Sequence, residues 1–397
     1  GQYLKLDFSS LLIFTTSLAF SDYLRGILLT GFPWNLWAYS TTRFIEILQI
    51  LNVIGLYSYN LLVITFFTLP VIFFYKLSSI KKVILFFSFC LTILFLYIYG
   101  NYLINKNNFY LSTINEKIYV KIIGPNFDLK YGIEPKEIQE RFNKLIKYSD
   151  PDKNKKTVFI WPEGVFSGYS YNEIISFKEL ILNNFSEKHF IVFGTNKLDI
   201  LSGKFYNSMI VVNNNFDIIK SYNKRKLVPF GEFLPFETML KKFGLKKITE
   251  GHGSYLKGIE DGNLIIENLN ILPLICYEII FTDLIQKSDE NTNLLINISE
   301  DGWFGQSIGP DQHFVKSIFR AIENNTFLLR SANRGISAII DNKGRIIKTL
   351  NRNEAGSIEF EVPLVKSNKI KNDLIFFILL ITYLLIFLIN KKQNGKK

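Results

Sequence analysis

Cysteine, methionine and proline are scarce in this chain of 397 residues, at two, two and eleven copies. Two thiols, Cys90 and Cys276, are too few for a disulfide framework, and one sits inside an apolar run while the other does not, which argues against pairing. The low proline count, with 37 Phe and long stretches free of charge, excludes a collagenous, coiled-coil or low-complexity chain. Neither His189 nor His252 sits in a metal-ligand spacing, and His313 falls on a predicted helix. No zinc cluster, Gly-rich phosphate loop or Gly-x-Ser-x-Gly elbow is found, so no cofactor and no metal is expected. The chain also has neither an initiator Met nor a signal peptide with a cleavage site, and the expectation is a fragment whose earlier membrane segments are missing.

What is present is apolar. Hydrophobic residues make up 48% and aromatics 15%, and the mean hydropathy of +0.15 is too high for a disordered or purely soluble protein. The net charge of +11 has no accompanying basic face interleaved with aromatics, so nucleic acid is not expected as a partner. Much of the excess lies instead where a membrane protein carries cytoplasmic anchors: Lys76, Lys81, Lys82, Lys391, Lys392, Lys396 and Lys397.

Three stretches, about 58–75, 83–104 and 373–390, match the length of about 20 residues that a bilayer-spanning helix needs. A fourth, 8–30, is apolar apart from Asp22 and Arg25, which stand three apart and can pair on one helix face. The segment 43–57 shows a helical stripe suited to a helix at the interface or against the bundle. Gly31-Phe32-Pro33-Trp34, with Trp37, reads as an interfacial loop. The positive-inside rule then places residues 105–371 outside, in a bacterium the periplasm, between a membrane domain at 1–104 and a last helix with a Lys-rich tail at 372–397.

The outer segment alternates short β-branched runs with helical patterns, which predicts one α/β domain. The runs are 117–123, 157–161, 190–193, 208–212, 271–275, 293–298 and 327–330. Helices are expected at 134–148 and 311–324, and no internal repeat is seen.

Cys276 follows the apolar run 271–275 and so stands where a buried strand ends, the usual place for a ligand site in an α/β fold. Glu163 sits in Trp161-Pro162-Glu163, also at a strand end. Lys224 lies in a segment, 222–235, that mixes charges with packing residues and turns. Each alone is most simply structural. Together they make a workable acyl-transfer set, because a thiol of ordinary pKa needs a base or a nearby cation to become a nucleophile. Glu163 can supply the base, and Lys224 can bind the oxyanion formed on the attacked carbonyl. Spacing alone leaves a Cys/His dyad open.

In their chain order these residues resemble the Glu-Lys-Cys triad of the nitrilase superfamily. More narrowly, the chain resembles its membrane-bound branch, the apolipoprotein N-acyltransferases. The resemblance covers nearly the whole chain. It rests on Trp161-Pro162-Glu163, Val228-Pro229-Phe230-Gly231-Glu232, Ile275-Cys276-Tyr277-Glu278, Asp301-Gly302-Trp303-Phe304-Gly305, Ala321-Ile322-Glu323-Asn324 and Arg330-Ser331-Ala332-Asn333-Arg334-Gly335. Leu24-Arg25-Gly26 and Gly31-Phe32-Pro33-Trp34 continue it in the membrane part.

The resemblance implies a nitrilase-like αββα sandwich inserted between transmembrane helices. It implies Glu163 as general base, Lys224 as oxyanion stabiliser and Cys276 as nucleophile. Glu232 would then support the site and help place Lys224, and Tyr277 and Glu278 would complete the pocket beside the thiol. It further implies a phospholipid acyl donor, with phosphatidylethanolamine expected, and a diacylated apolipoprotein as acceptor. Two departures from the family pattern, Gly164-Val165-Phe166-Ser167 and Glu300, bear on pocket shape rather than on the triad. Fewer membrane helices are legible than the family's usual eight. The competing readings are a membrane-anchored amidase, in which water resolves the acyl enzyme, and a non-catalytic lipid or lipoprotein binder. Cys90 reads as a lipid-facing or packing residue.

Overall fold

The computed structural model describes residues 8–75, 77–130, 132–242, 244, 253–259, 262–369 and 373–394. Lys76, His252, Lys396 and Lys397 lie outside the described residues.

Among the described residues, twelve strands form two facing sheets. They are β1 (Lys117–Gly124), β2 (Thr157–Ile160), β3 (His189–Leu198), β4 (Phe205–Val212), β5 (Ile218–Asn223), β6 (Leu264–Ile266), β7 (Leu269–Ile275), β8 (Leu294–Glu300), β9 (Leu328–Asn333), β10 (Ser337–Ile340), β11 (Ile346–Leu350) and β12 (Gly356–Pro363). The first sheet has the order β12-β1-β2-β3-β4-β5 and the second β11-β10-β9-β8-β7-β6. In each, three parallel strands stand at the centre (β1, β2 and β3; β7, β8 and β9) with antiparallel strands at the edges. Parallel strands of this kind are covered on both faces, and alternate side chains point to opposite faces. Ile122 and Val192 therefore enter the core between the sheets, with Ile271, Ile296 and Leu329 from the other sheet. Their neighbours Ile123 and Phe193 face outward onto Phe142 of helix Pro135–Ser149. On the other side, helix Gly309–Asn324 packs Phe319 and Ile322 against Leu295 and Leu328. The result is the expected αββα sandwich. All seven expected strands are present; the five others are edge or hairpin strands.

Around the sandwich, three helices among the described residues are long and apolar enough to cross a membrane: Leu56–Phe74, Ser79–Thr113 and Leu374–Lys392. Helix Phe8–Ile27, expected as a fourth span over 8–30, ends at Ile27 and is not among the helices apolar enough to cross; it packs against the first and third of these. Helix Ser79–Thr113 runs past the expected 104, and its buried Asn107 exchanges hydrogen bonds with Asn342 of the sandwich at 2.8 Å each way. Cys90 is exposed on this helix.

The stretch 43–57 is not one helix. It forms two single turns, Ile45–Leu48 and Leu51–Ile54, and Gly55 at φ 78 redirects the chain into Leu56–Thr68. Leu48 and Leu51 are buried against the apolar face of helix Gly309–Asn324, and Asn52 donates to the Glu323 carbonyl at 3.1 Å. The segment is thus a strut between the membrane helices and the sandwich. Gly100 lets the long helix cross that strut: a Cβ there would stand 1.8 Å from the backbone oxygen of Glu46. Alanine normally gains about 1 kcal/mol over glycine within a helix, but an overlap with backbone has no rotamer to relieve it. Gly100→Ala is therefore expected to lose about 2 kcal/mol net, read as a lower unfolding midpoint in detergent; an unchanged midpoint would contradict the crossing.

Candidate active site

Cys276 is the first residue after β7 and opens the tight turn Cys276–Ile280 at φ 47, a left-handed conformation that side chains seldom adopt. Glu163 stands just beyond β2 in the facing sheet, and Lys224 just beyond β5. The three face one cavity of about 420 Å³, whose walls include Glu232, Tyr277 and Glu300.

The polar groups are closely tied. Lys224 is 1% exposed, and its Nζ lies 2.8 Å from Glu232 Oε1 and 3.7 Å from Glu163 Oε1. Asn207 donates to both carboxylates, at 2.7 Å to Glu163 and 2.8 Å to Glu232, and so fixes their separation. The Glu300 backbone N–H donates to Glu163 Oε2 at 3.1 Å, and that of Val228 to Glu232 Oε2 at 2.8 Å. Burial alone would lower the Lys224 pKa, but Glu232 and then Glu163 outweigh it and hold the ammonium above its ordinary value. Burial, and next the Glu163 carboxylate, push the Cys276 thiol up, while Lys224 pulls partly against them. The resting sulfur is therefore a thiol, and a base must take its proton as it attacks. A carboxylate, a fixed cation and that thiol on one cavity are sufficient to do so and to receive an oxyanion. Among the described residues no group of three or more His, Cys, Asp or Glu is placed to hold a metal ion.

Tyr277 lines the cavity, and its hydroxyl donates to the Gly31 carbonyl at 3.1 Å. Glu278 lies behind it, fully buried. One of its oxygens accepts from Tyr222 Oη at 2.8 Å and from the Arg225 and Lys226 N–H groups at 2.7 and 3.1 Å; the other accepts from Ile275 N–H at 2.9 Å. The Lys224 loop is thereby tied to the Cys276 turn. His313, which also lines the cavity, meets the backbone carbonyl of Cys276 at 3.1 Å. His189 is not among the residues lining the cavity; its ring meets the backbone carbonyls of Asp152 and Lys155.

The segment Gly31-Phe32-Pro33-Trp34 supplies a wall of this cavity, a role beyond its reading as an interfacial loop. Phe32 and Trp34 both line it. Trp34 stacks on His313 at 5.5 Å and donates to Gln312 at 2.8 Å. The expected pair of Arg25 and Asp22 forms at 2.7 Å, and Arg25 and Asn60 then hold the wall in place through the Asn35 carbonyl and the Ala38 N–H.

Both departures from the family pattern have local reasons. Gly164 has φ 71, and Phe166 buries its ring 4.3 Å from that of Phe142. Glu300 accepts from Gly302 N–H at 2.8 Å and from Asn333 at 2.7 Å, yet burial still pushes its carboxyl up to about 8. A carboxyl whose folded pKa is raised contributes stability below its unfolded value and loses it as pH rises through the folded one. The unfolding midpoint is expected to fall as pH rises through about 8, and Glu300→Gln to flatten that fall; an identical slope in the variant would show another group to be responsible.

Comparison with known proteins follows this division of the molecule. Residues 131–372 match the carbon-nitrogen hydrolase family, and residues 3–69 match the apolipoprotein N-acyltransferase N-terminal domain. The class is thus that of a carbon-nitrogen hydrolase carrying a membrane part. The apolipoprotein N-acyltransferase of Rhodopseudomonas palustris is 30% identical over 370 residues, covering 90% of this chain and 68% of that protein. That of Rickettsia typhi is 32% identical over 395 residues, covering 94% of this chain and 76% of that one. The solved structure of Saccharomyces cerevisiae Nit3, described as a member of branch 10 of the nitrilase superfamily, aligns at TM-score 0.46 and 16% identity over 63% of this chain and 91% of that chain. The chain belongs to the apolipoprotein N-acyltransferase family. It is a membrane protein of the N-acyltransferase class.

Proposed function

We propose that this protein moves a fatty acyl chain from a phospholipid, through a thioester on Cys276, to the N-terminal amine of a diacylglyceryl-modified cysteine in a lipoprotein. The observation that carries this reading is that Phe32 and Trp34, from the membrane part, share one cavity with Glu163, Lys224 and Cys276. A lipid leaving the bilayer loses about 0.8 kcal/mol for each CH₂ exposed to water, so a site walled by the membrane segment itself spares both substrates that loss.

In the first step Glu163 takes the thiol proton as Cys276 Sγ bonds to the ester carbonyl carbon. The oxyanion forms against the Lys224 ammonium, which Glu232 holds in place. The carbon–oxygen bond then breaks, Glu163 returns the proton to the leaving alcohol, and a lysophospholipid departs. In the second step the lipoprotein amine attacks the thioester, Glu163 accepts its proton, and the collapsing intermediate leaves an amide and a thiol. Phosphatidylethanolamine, through its sn-1 ester, is the proposed donor. The basic residues Lys81 and Lys82 in the first turn of one membrane helix, and Lys391 and Lys392 at the end of another, support a cytoplasmic side at those ends and a sandwich facing the periplasm across the inner membrane.

The test is to add a synthetic diacylglyceryl-cysteine peptide to protein incubated with phosphatidylethanolamine in detergent. A peptide gaining one acyl mass, with lysophospholipid released, is expected. Free fatty acid with an unchanged peptide would favour the water-resolved amidase instead.

A further inference from the structure

His313 is buried on helix Gly309–Asn324 and has no part in the proton transfers above. Its Nε2 lies 3.1 Å from the Cys276 carbonyl, and because a carbonyl only accepts, Nε2 carries the hydrogen in that contact. Its Nδ1 faces Asp301 Oδ1 at 2.9 Å. Asp301 is itself held by the Ser299 hydroxyl at 2.6 Å and the Arg330 guanidinium at 2.7 Å. Arg330 also donates to Asn297, whose amide donates to the Leu274 carbonyl at 2.9 Å. One buried network therefore grips the nucleophile strand at two carbonyls, Leu274 and Cys276.

Cys276 needs such a grip. At φ 47 a non-glycine residue pays about 1 kcal/mol or more, and relaxation toward an ordinary conformation would swing Cβ and Sγ away from the cavity. The His313 ring cannot turn to follow such a movement. Trp34 stacks on it at 5.5 Å and 20°, and Phe304 packs at 5.6 Å.

We infer that His313 is a positioning residue for the nucleophile. Through the Cys276 carbonyl it fixes the direction in which Sγ meets the acyl donor, and Asp301, Arg330 and the membrane-derived Trp34 set its own orientation. This inference rests on the proposed thioester route. Misplacing a reacting atom by about 1 Å lowers a rate by about 100-fold, so the effect belongs to acylation rather than to donor binding.

The experiment uses the full chain in detergent with Cys90→Ser, so that Cys276 is the one remaining thiol. His313→Leu and His313→Gln are compared in three measurements. These are the rate and apparent KM of acyl-enzyme formation from phosphatidylethanolamine, the pH profile of Cys276 alkylation by iodoacetamide, and the unfolding midpoint. His313→Leu should acylate about 100-fold more slowly, with KM changed less than about threefold. His313→Gln, whose side-chain N–H can reach the same carbonyl, should recover to within about tenfold of the unsubstituted protein and keep its alkylation profile. His313→Leu acylating at the unsubstituted rate, or both variants losing activity equally, would overturn the inference. Should His313→Leu fail to fold, Asp301→Ala takes its place beside His313→Gln, because it removes the carboxylate that faces Nδ1 while leaving the Nε2 contact; full activity in it would also overturn the inference. If the unsubstituted protein forms no thioester, the proposed function fails, whereas the alkylation profiles need no acyl donor and still decide the role of His313.

Discussion

Replacing Cys276 by Ala is expected to lower N-acylation by about 10⁴-fold or more while leaving expression and membrane insertion intact. The side chain removed is small, and the Cys276 carbonyl keeps its His313 contact while the Ile275 N–H keeps Glu278 as its acceptor. The fold should hardly register the loss. A second substitution separates chemistry from strain. Because Cys276 has φ 47, Cys276→Gly should be as inactive as Cys276→Ala yet about 1 kcal/mol more stable. Acylation at the unsubstituted level in either variant would remove the mechanism, and equal stability of the two would show that the turn stores no strain.

Lys224→Ala has the largest expected effect on both activity and stability. Removing the ammonium takes away the group that meets the oxyanion, so no acyl enzyme should accumulate, rather than one that forms and resolves slowly. It also leaves the Glu163 and Glu232 carboxylates, both tied to Asn207, without the buried cation between them. Breaking a buried pair by removing one partner destabilises by about 3–5 kcal/mol. The sign of the pH dependence follows. Protonating a stranded carboxylate relieves the penalty, so the variant should approach the unsubstituted protein in unfolding midpoint as pH falls. A normal burst of acyl enzyme in Lys224→Ala would contradict the oxyanion role. A loss of stability that does not vary with pH would contradict the electrostatic account of this cluster.

The parts of this molecule legible in the sequence are those whose signal is local. The runs 157–161 and 271–275, which became β2 and the end of β7, are buried and carry no charged side chain, and Cys276 and Glu163 could be placed at strand ends because those runs stop there. β11 is largely exposed and β12 mixes charge with apolar residues, and β12 is located by its pairing with β1, more than two hundred residues earlier in the chain. Nothing local encodes such a partner. The same holds within the site. Asn207 is an unremarked residue of β4 until the fold sets it between Glu163 and Glu232. Trp34 and His313 each had an ordinary reading, as a lipid-boundary aromatic and a helix residue, and they acquire a role only because the chain brings the membrane loop onto the helix behind Cys276. Glu278 sits in a recognisable motif, but its placement behind the cavity, under the Lys224 loop, depends on three donors from residues 222–226.

The central claim is that Cys276 carries an acyl chain taken from a phospholipid. Intact-protein mass measurement, after incubating the protein in detergent with phosphatidylethanolamine, tests it most directly, with hydroxylamine treatment and Cys276→Ala alongside. The account predicts a fatty-acyl mass increment that hydroxylamine removes and that Cys276→Ala never gains. An increment that resists hydroxylamine, or that persists without Cys276, would contradict it.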